Sequence, residues 1–253
     1  MVFETVPFIS QKSNPSKFKL LGESAFCSLF LYLIIRRFSS IYRKDNLVIG
    51  NRDMDTTLFE MINSLAGKFP ALDAVMLFSA KYLLVVFAIT LVIFYLTFWA
   101  NQQRIAFLAG VSTLIALGVA QGIAYLFSRP RPYLDHAAHL LIAQPKDPSF
   151  PSDHATFCCA IAMMIWLHNR KVGGILLALA VLVGFSRVYV GTHYPTDILG
   201  GAALGIGISI LINYIAKQNS VRTLLDRLFM KLHKWHLAAK PEQRINLRSS
   251  VKR

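Results

Sequence analysis

Acidic residues are scarce in this chain: 13 Asp and Glu stand against 27 Lys and Arg in 253 residues, a formal net charge of +14. Charge of either sign is also low, at 16%, where a soluble domain carries about 25%. With 55% hydrophobic residues, this composition excludes a disordered chain and argues against a soluble two-domain enzyme. Cysteine is nearly absent. Cys27, Cys158 and Cys159 cannot build a disulfide framework, and no C-x-x-C occurs to suggest zinc or redox chemistry. Cys158 and Cys159 lie inside an apolar run, where a thiol acts as a small hydrophobe. A basic excess can signal nucleic-acid binding. Here the basic residues fall between and after apolar runs, without a DNA-reading motif, as cytoplasmic loops and tails do. No nucleic-acid partner is expected.

What is abundant is long apolar sequence. Five runs stand out: Val75–Trp99, Ile105–Phe127, Ala155–Leu167, Val172–Phe185 and Ile198–Ala216. The expected fold is all-α, a polytopic membrane helix bundle with five to six transmembrane helices. Ala155–Leu167 covers only about 20 Å as a helix, so it must continue through polar residues or start below the surface. Ile198–Ala216 carries Gly200, Gly201, Gly205 and Gly207, small residues that let helices approach closely in lipid. Ten Lys and Arg follow Ala216, two lie in His168–Lys171 and one in Asn101–Arg104. These segments share a side if all five runs span, and the positive-inside rule places them in the cytoplasm. Ser128–Asp153 and Ser186–Thr196 then face outside. Their Arg129, Arg131 and Arg187 run against that rule, which asks for a reason other than topology.

Three divisions are expected. Residues 1–53 read as an interfacial or poorly ordered extension, because Ala25–Ile35 is apolar but short and is followed by Arg36, Arg37, Arg43, Lys44 and Arg52. Met54 looks like a natural beginning, and translation starting there is one hypothesis. Residues 54–216 form the membrane domain. Residues 217–253 form a basic amphipathic cytoplasmic tail, whose Arg222–Lys240 stretch alternates cations with Leu224, Leu225, Leu228, Phe229, Leu232 and Trp235, as a helix on an anionic leaflet does.

Three polar clusters interrupt the apolar sequence, and all are expected to converge on one face. They are Ser128-Arg129-Pro130-Arg131-Pro132, Phe150-Pro151-Ser152-Asp153-His154, and Ser186-Arg187 followed by His193 and Asp197. Arginine offers paired planar donors that match phosphate oxygens, so Arg131 and Arg187 are candidates for a phosphoryl clamp. Ser152 adds a hydroxyl, at a helix mouth whose free amides favour an anion. Asp197 beside His193 can fix the imidazole tautomer and raise its basicity. Two histidines of different role suffice for a displacement in which one attacks phosphorus and the other protonates the leaving oxygen.

Each fragment has a plainer reading alone. Arg-Pro is usually an interfacial turn, Pro-Ser-Asp-His can merely cap a helix, and His193 with Asp197 can be a packing pair. The long gapped third cluster, with the other two in order, outweighs those readings. Asp135, His136 and His139 are expected on solvated surface. Tyr189 and Tyr194 flank the third cluster and stay with the plainer packing reading, with lining a lipid entrance as the alternative, and Gln121 and Tyr125 are expected to serve packing.

Arg131-Pro132, Pro151-Ser152-Asp153-His154 and Ser186-Arg187-x5-His193-x3-Asp197 together resemble the type 2 phosphatidic acid phosphatase superfamily, whose pattern is Lys-x6-Arg-Pro, Pro-Ser-Gly-His and Ser-Arg-x5-His-x3-Asp. The match runs from about Met54 to Ala216. Two positions depart from it. The motif lysine is Ala124, for which Arg129 and Lys146 are candidate substitutes, and the motif glycine is Asp153. Both departures, with the opening Phe59-Glu60-Met61-Ile62-Asn63-Ser64-Leu65-Ala66-Gly67, look like the bacitracin-resistance branch of undecaprenyl-diphosphate phosphatases.

The resemblance implies a catalytic set of His193 as nucleophile, Asp197 as its orienter and His154 as general acid. Arg131, Ser152, Arg187 and Asp153 would form the phosphate site, with no metal and no cofactor. The implied partners are a lipid diphosphate, undecaprenyl diphosphate, and membrane lipids. The implied place is a bacterial cell membrane with the site facing outside, in service of carrier-lipid recycling and bacitracin resistance. A phosphatase for phosphatidic acid, phosphatidylglycerol phosphate or a related lipid is the alternative within the same chemistry. A transporter or lipid-binding protein without turnover is the alternative outside it.

Overall fold

The computed structural model describes residues 49–97, 99–135, 137–143 and 147–238, all within the unit that runs from Asn46 to Arg253. Ala25–Ile35 and the tail beyond residue 238 lie outside the described residues. Eight helices follow in order: α1 (Ile49–Asn63), α2 (Pro70–Leu96), α3 (Ala100–Phe127), α4 (Pro132–Asp135), α5 (Asp153–His168), α6 (Arg170–Tyr189), α7 (Pro195–Lys217) and α8 (Asn219–Ala238). The expected boundary between residues 53 and 54 falls inside α1.

Local sequence accounts for the helix starts. Pro70 and Pro195 open α2 and α7, at the position where a missing N–H is harmless. The Asn169 side chain accepts from the Val172 amide at 3.1 Å and caps α6. In α7 the Asp197 carboxylate accepts from the Tyr194 amide at 2.8 Å. That aspartate therefore closes the helix start as well as standing beside His193.

All five apolar runs are helices, but the expected five to six spans are corrected to four. Among the described residues, α2, α3, α6 and α7 are long and apolar enough to cross a membrane. The fifth, α5, has 16 residues, about 24 Å against a hydrocarbon core of about 30 Å. It is the bundle's inner helix, packed on α3, α6 and α7, and it leads from the site end to the start of α6. Its Ile161 and Ile165 meet Phe87 of α2 and Val183 of α6, all fully buried. Close approach to α7 depends on glycine: a Cβ on Gly205 would run into the Thr156 carbonyl oxygen, and one on Gly201 into that of Ser152.

The outer faces are apolar. On α2, Val75, Phe78, Tyr82, Ile89, Val92 and Ile93 each stand more than half exposed. Each aliphatic side chain left in water would forfeit about 1.5–3 kcal/mol, so this belt belongs in lipid. At one end of the bundle Arg104 donates to the Ala216 carbonyl at 3.1 Å and pairs with Asp226 of α8 at 2.9 Å. This joins the α2–α3 connection to the start of the tail. At the other end the three polar clusters meet.

Candidate active site

The loops that carry the clusters are stitched together through their backbones. The Ser149 amide donates to the Arg129 carbonyl at 2.8 Å, and the Ser152 amide to the Asp197 carbonyl at 3.1 Å. The first and second clusters are thereby joined, and the starts of α5 and α7 are locked side by side. Gly191, at φ +86, turns the chain from α6 into Thr192 and His193, and its hypothetical Cβ would meet the His139 carbonyl oxygen at 3.0 Å. Only glycine takes that conformation without strain.

His193 is buried at the centre. Its Nδ1 lies 2.9 Å from the Ser149 carbonyl oxygen. A carbonyl can only accept, so Nδ1 carries the proton and Nε2 keeps its lone pair. Nε2 faces Arg131 Nη1 at 3.3 Å, and that same nitrogen donates to the Thr192 carbonyl at 2.9 Å. Asp197 stands 3.7 Å from Nδ1, within electrostatic reach but too far for a hydrogen bond. Its oxygens are taken by Arg129 at 2.8 Å, the Tyr194 amide and the Ser149 hydroxyl. Thus Ser149, which the sequence reading passed over, holds the imidazole directly, and Asp197 acts on it through Ser149 and through its charge. Burial pushes the His193 pKa down; the Asp197 carboxylate pulls it up, and Arg187 and Arg131 add to the lowering. The net direction is down, which keeps the ring neutral.

The phosphate-site candidates are not equivalent. Arg187 is 5% exposed, and its Nε has no hydrogen-bond partner. Ser152 is fully buried, and its Oγ also has none. Ser152 precedes α5, yet its side chain makes no capping bond, so the plain capping reading fails. Two buried donors without partners, on clusters that meet at this end of the bundle, fit an anionic ligand. Arg131 is 3% exposed and already engaged, with Nε on the Asp147 carbonyl and Nη2 on its carboxylate, both at 2.8 Å. Asp147, another residue the sequence reading did not single out, is the exposed partner of that pair. Asp153 is half-buried at the first turn of α5 and accepts from Gln121 Nε2 at 2.7 Å. Burial and the nearby Asp147 carboxylate push its carboxyl pKa up. It can donate toward a phosphate only when protonated.

Several expectations need correction. Gln121 is not merely packing, since it reaches Asp153. Tyr189 and Tyr194 follow the packing reading rather than its entrance alternative. Both are buried, with the Tyr189 hydroxyl donating to Asp73 at 2.7 Å and the Tyr194 ring lying 4.1 Å beneath the Arg129 guanidinium. Arg129, a candidate for the missing lysine, spends its donors on Asp55, Asp197 and Thr196. Lys146 and His136 lie outside the described residues. His139 is exposed and is held by its backbone to Asn63.

His154 stands at the first turn of α5, ahead of the apolar stretch of that short helix. Burial and the neighbouring cations of Arg187 and Arg131, with His193, lower its pKa from 6.5 to about 3. It is therefore neutral at pH 7 until a phosphoryl group brings negative charge beside it. If His154 is the proton donor, the alkaline limb of kcat lies at higher pH than that of kcat/KM, because only kcat reports the occupied site. In His154→Ala the alkaline limb of kcat disappears. Pre-steady-state and steady-state rates across pH 5–9 check both statements: kcat is expected to show an alkaline limb inside that window while the free-site value of about 3 leaves that of kcat/KM below it, and coincident limbs in the unaltered protein contradict the assignment.

A membrane-embedded helix bundle thus gathers two buried arginines, a free serine hydroxyl and two histidines at one mouth, the equipment of a lipid phosphate phosphatase. The profile of the PAP2 superfamily matches residues 105–220. The chain is 35% identical over 158 residues to undecaprenyl-diphosphatase BcrC of Bacillus subtilis, covering 62% of this chain and 82% of that protein. It is 29% identical to the putative undecaprenyl-diphosphatase YbjG of Escherichia coli, covering 73% of this chain and 91% of that one. The bundle also matches the crystal structure of a transmembrane PAP2-type phosphatidylglycerolphosphate phosphatase from Bacillus subtilis, with a TM-score of 0.51 and 22% identity, over 78% of this chain and 96% of that chain. The chain belongs to the PAP2 superfamily, and it acts on a lipid phosphate or diphosphate of the membrane.

Proposed function

We propose that this protein removes the terminal phosphate of undecaprenyl diphosphate through a phosphohistidine on His193. The observation that carries this reading is the His193 ring, whose Nδ1 proton is committed to the Ser149 carbonyl and whose Nε2 lone pair is presented beside Arg131. The free donors of Ser152 and Arg187 support binding of the phosphoryl oxygens. In the first step Nε2 forms a bond to the terminal phosphorus, and the bond from phosphorus to the bridging oxygen breaks. The electron pair goes to that oxygen, which takes a proton from His154 and leaves as the lipid monophosphate. In the second step water attacks the phosphohistidine and gives its proton to His154. Inorganic phosphate departs, and the Nε2 lone pair is restored. Arg131 and Arg187 match the charge spread over the equatorial oxygens.

The carrier-lipid substrate is supported by the two undecaprenyl-diphosphatase relatives. On this reading the mouth faces outside a bacterial cell membrane, and turnover regenerates the carrier for cell-wall synthesis while competing with bacitracin for the diphosphate. No metal takes part. Phosphate release from purified protein is the test, with undecaprenyl diphosphate, phosphatidic acid and phosphatidylglycerol phosphate assayed side by side, with and without excess chelator. The expected result is highest kcat/KM on the diphosphate, unaffected by chelator. Preference for a monophosphate overturns the substrate. Loss in chelator that a divalent cation restores overturns the metal-free chemistry.

A further inference from the structure

We propose that Asp55, on α1, is a positioning residue for the nucleophile, acting through Arg129 and Asp197 on His193. The inference rests on the phosphohistidine reading and extends it to a helix outside the three motif clusters. Asp55 is 4% exposed and both its oxygens are engaged. Its Oδ1 accepts from the Thr196 amide at 3.0 Å, and its Oδ2 accepts from the Thr196 hydroxyl at 2.6 Å and from Arg129 Nη2 at 2.7 Å. The other terminal nitrogen of the same guanidinium donates to Asp197 Oδ1 at 2.8 Å. Arg129 is thus one cation shared by two carboxylates, and the group carries a net charge of about −1 by simple addition of formal charges.

That surplus matters because Asp197 alone with Arg129 would be a closed, neutral ion pair. Its field on an imidazole 3.7 Å away would be largely cancelled. With Asp55 drawing on the same guanidinium, Asp197 keeps negative charge to offer. An imidazole that becomes a phosphoimidazolium gains from that charge, and its Nε2 is the more basic for it. The charged and titratable groups facing His193 are Asp197, Arg131, Arg187 and His154, with Asp147 behind Arg131. None of these changes when Asp55 is altered, so a titration difference isolates the one charge removed. Position supports the link: α1 is fastened to the site by Phe59 against the Tyr194 ring at 5.5 Å and by Asn63 Nδ2, which donates to the Tyr189 and His139 carbonyls at 2.8 and 3.0 Å.

A purely structural Asp55 would pin α1 to the start of α7 and nothing more. The two roles separate in a pH profile. Phosphate release by the full-length protein is measured against pH for the unaltered chain, Asp55→Asn and Asp55→Glu. The ring titration of His193 is followed in parallel by 15N-histidine NMR, which needs no turnover. In Asp55→Asn the acid limb of kcat/KM and the His193 titration are expected to move to lower pH. The kcat is expected to fall roughly three- to tenfold at unchanged KM, a full unit of basicity corresponding to at most about tenfold. Asp55→Glu restores the limb. Should Asp55→Asn fail to fold, Asp55→Ser is measured in the same way; it keeps an acceptor for the Thr196 amide and removes the charge. A limb and ring titration superimposable on those of the unaltered protein overturn the inference, as does a loss confined to KM or to the yield of folded protein. A shifted ring titration in a chain that releases no phosphate from any lipid upholds the coupling while ending the enzymatic reading.

Discussion

His193→Ala is expected to reduce phosphate release by at least about a thousandfold, to the background of the assay, while the purified protein keeps its helical content and elution behaviour. The size follows from the role: without Nε2 no covalent intermediate can form, and removing a nucleophile typically leaves only what binding and charge stabilisation provide. The fold should survive because the imidazole's partners are the Ser149 carbonyl and the Arg131 guanidinium, and each keeps other bonds. Arg131 remains fixed by the Thr192 and Asp147 carbonyls, and Ser149 by its amide on Arg129 and its hydroxyl on Asp197. Substrate labelled with 32P at the terminal phosphate gives a second readout. An alkali-stable, acid-labile adduct should form on the unaltered chain and be absent from His193→Ala. Full turnover by the folded variant would end the phosphohistidine mechanism, and an adduct on the variant would move the nucleophile elsewhere.

Much of this arrangement was legible before any coordinates, and the boundary of legibility has a physical cause. Periodic apolar composition writes helices into sequence directly, so the five runs became α2, α3, α5, α6 and α7. What it does not write is depth. Ala155–Leu167 is apolar because it is encased by α2, α3, α6 and α7, and a buried core helix and a short span look alike from composition. The motif residues were legible because arginine, histidine and aspartate are anomalous beside lipid and call for a reason.

The supporting residues were not legible in this way. Ser149 acts mainly through a backbone carbonyl, a group every residue possesses, and nothing in its side chain announces that. Asp55 lies 142 positions before Asp197, bridged by an arginine whose sequence context suggested phosphate. Asp55 shares α1 with Arg52, Asp53 and Glu60, so neither its charge nor its setting singles it out in sequence. Tyr194 left two readings open for a related reason: aromatic side chains near a membrane mouth suit an entrance as well as packing, and this ring is covered by Arg129 and Phe59.

Arg187 and Arg131 look interchangeable as a clamp in sequence, and their environments say that they will not behave alike. Arg187→Lys is expected to lower kcat/KM for the lipid diphosphate by about 10²–10³, with most of the loss in kcat and little change in thermal stability. The Nε of Arg187 is buried and bonds nothing in the protein, so the fold gives up no hydrogen bond there when the guanidinium is replaced. Lysine keeps the charge but loses the planar paired donors that follow phosphoryl oxygens as they flatten in the transition state. Arg131→Lys, in contrast, also removes bonds from Nε and Nη2 to the Asp147 carbonyl and carboxylate. It should therefore lower the thermal midpoint as well as the rate, since those bonds hold the 147–149 stretch whose Ser149 carbonyl fixes the His193 tautomer. Parallel thermal unfolding and initial-rate measurements on the two lysine variants separate the roles. Equal destabilisation by both would mean that Arg187 is a structural cation, and the free donors of this pocket would then lose their claim on phosphate.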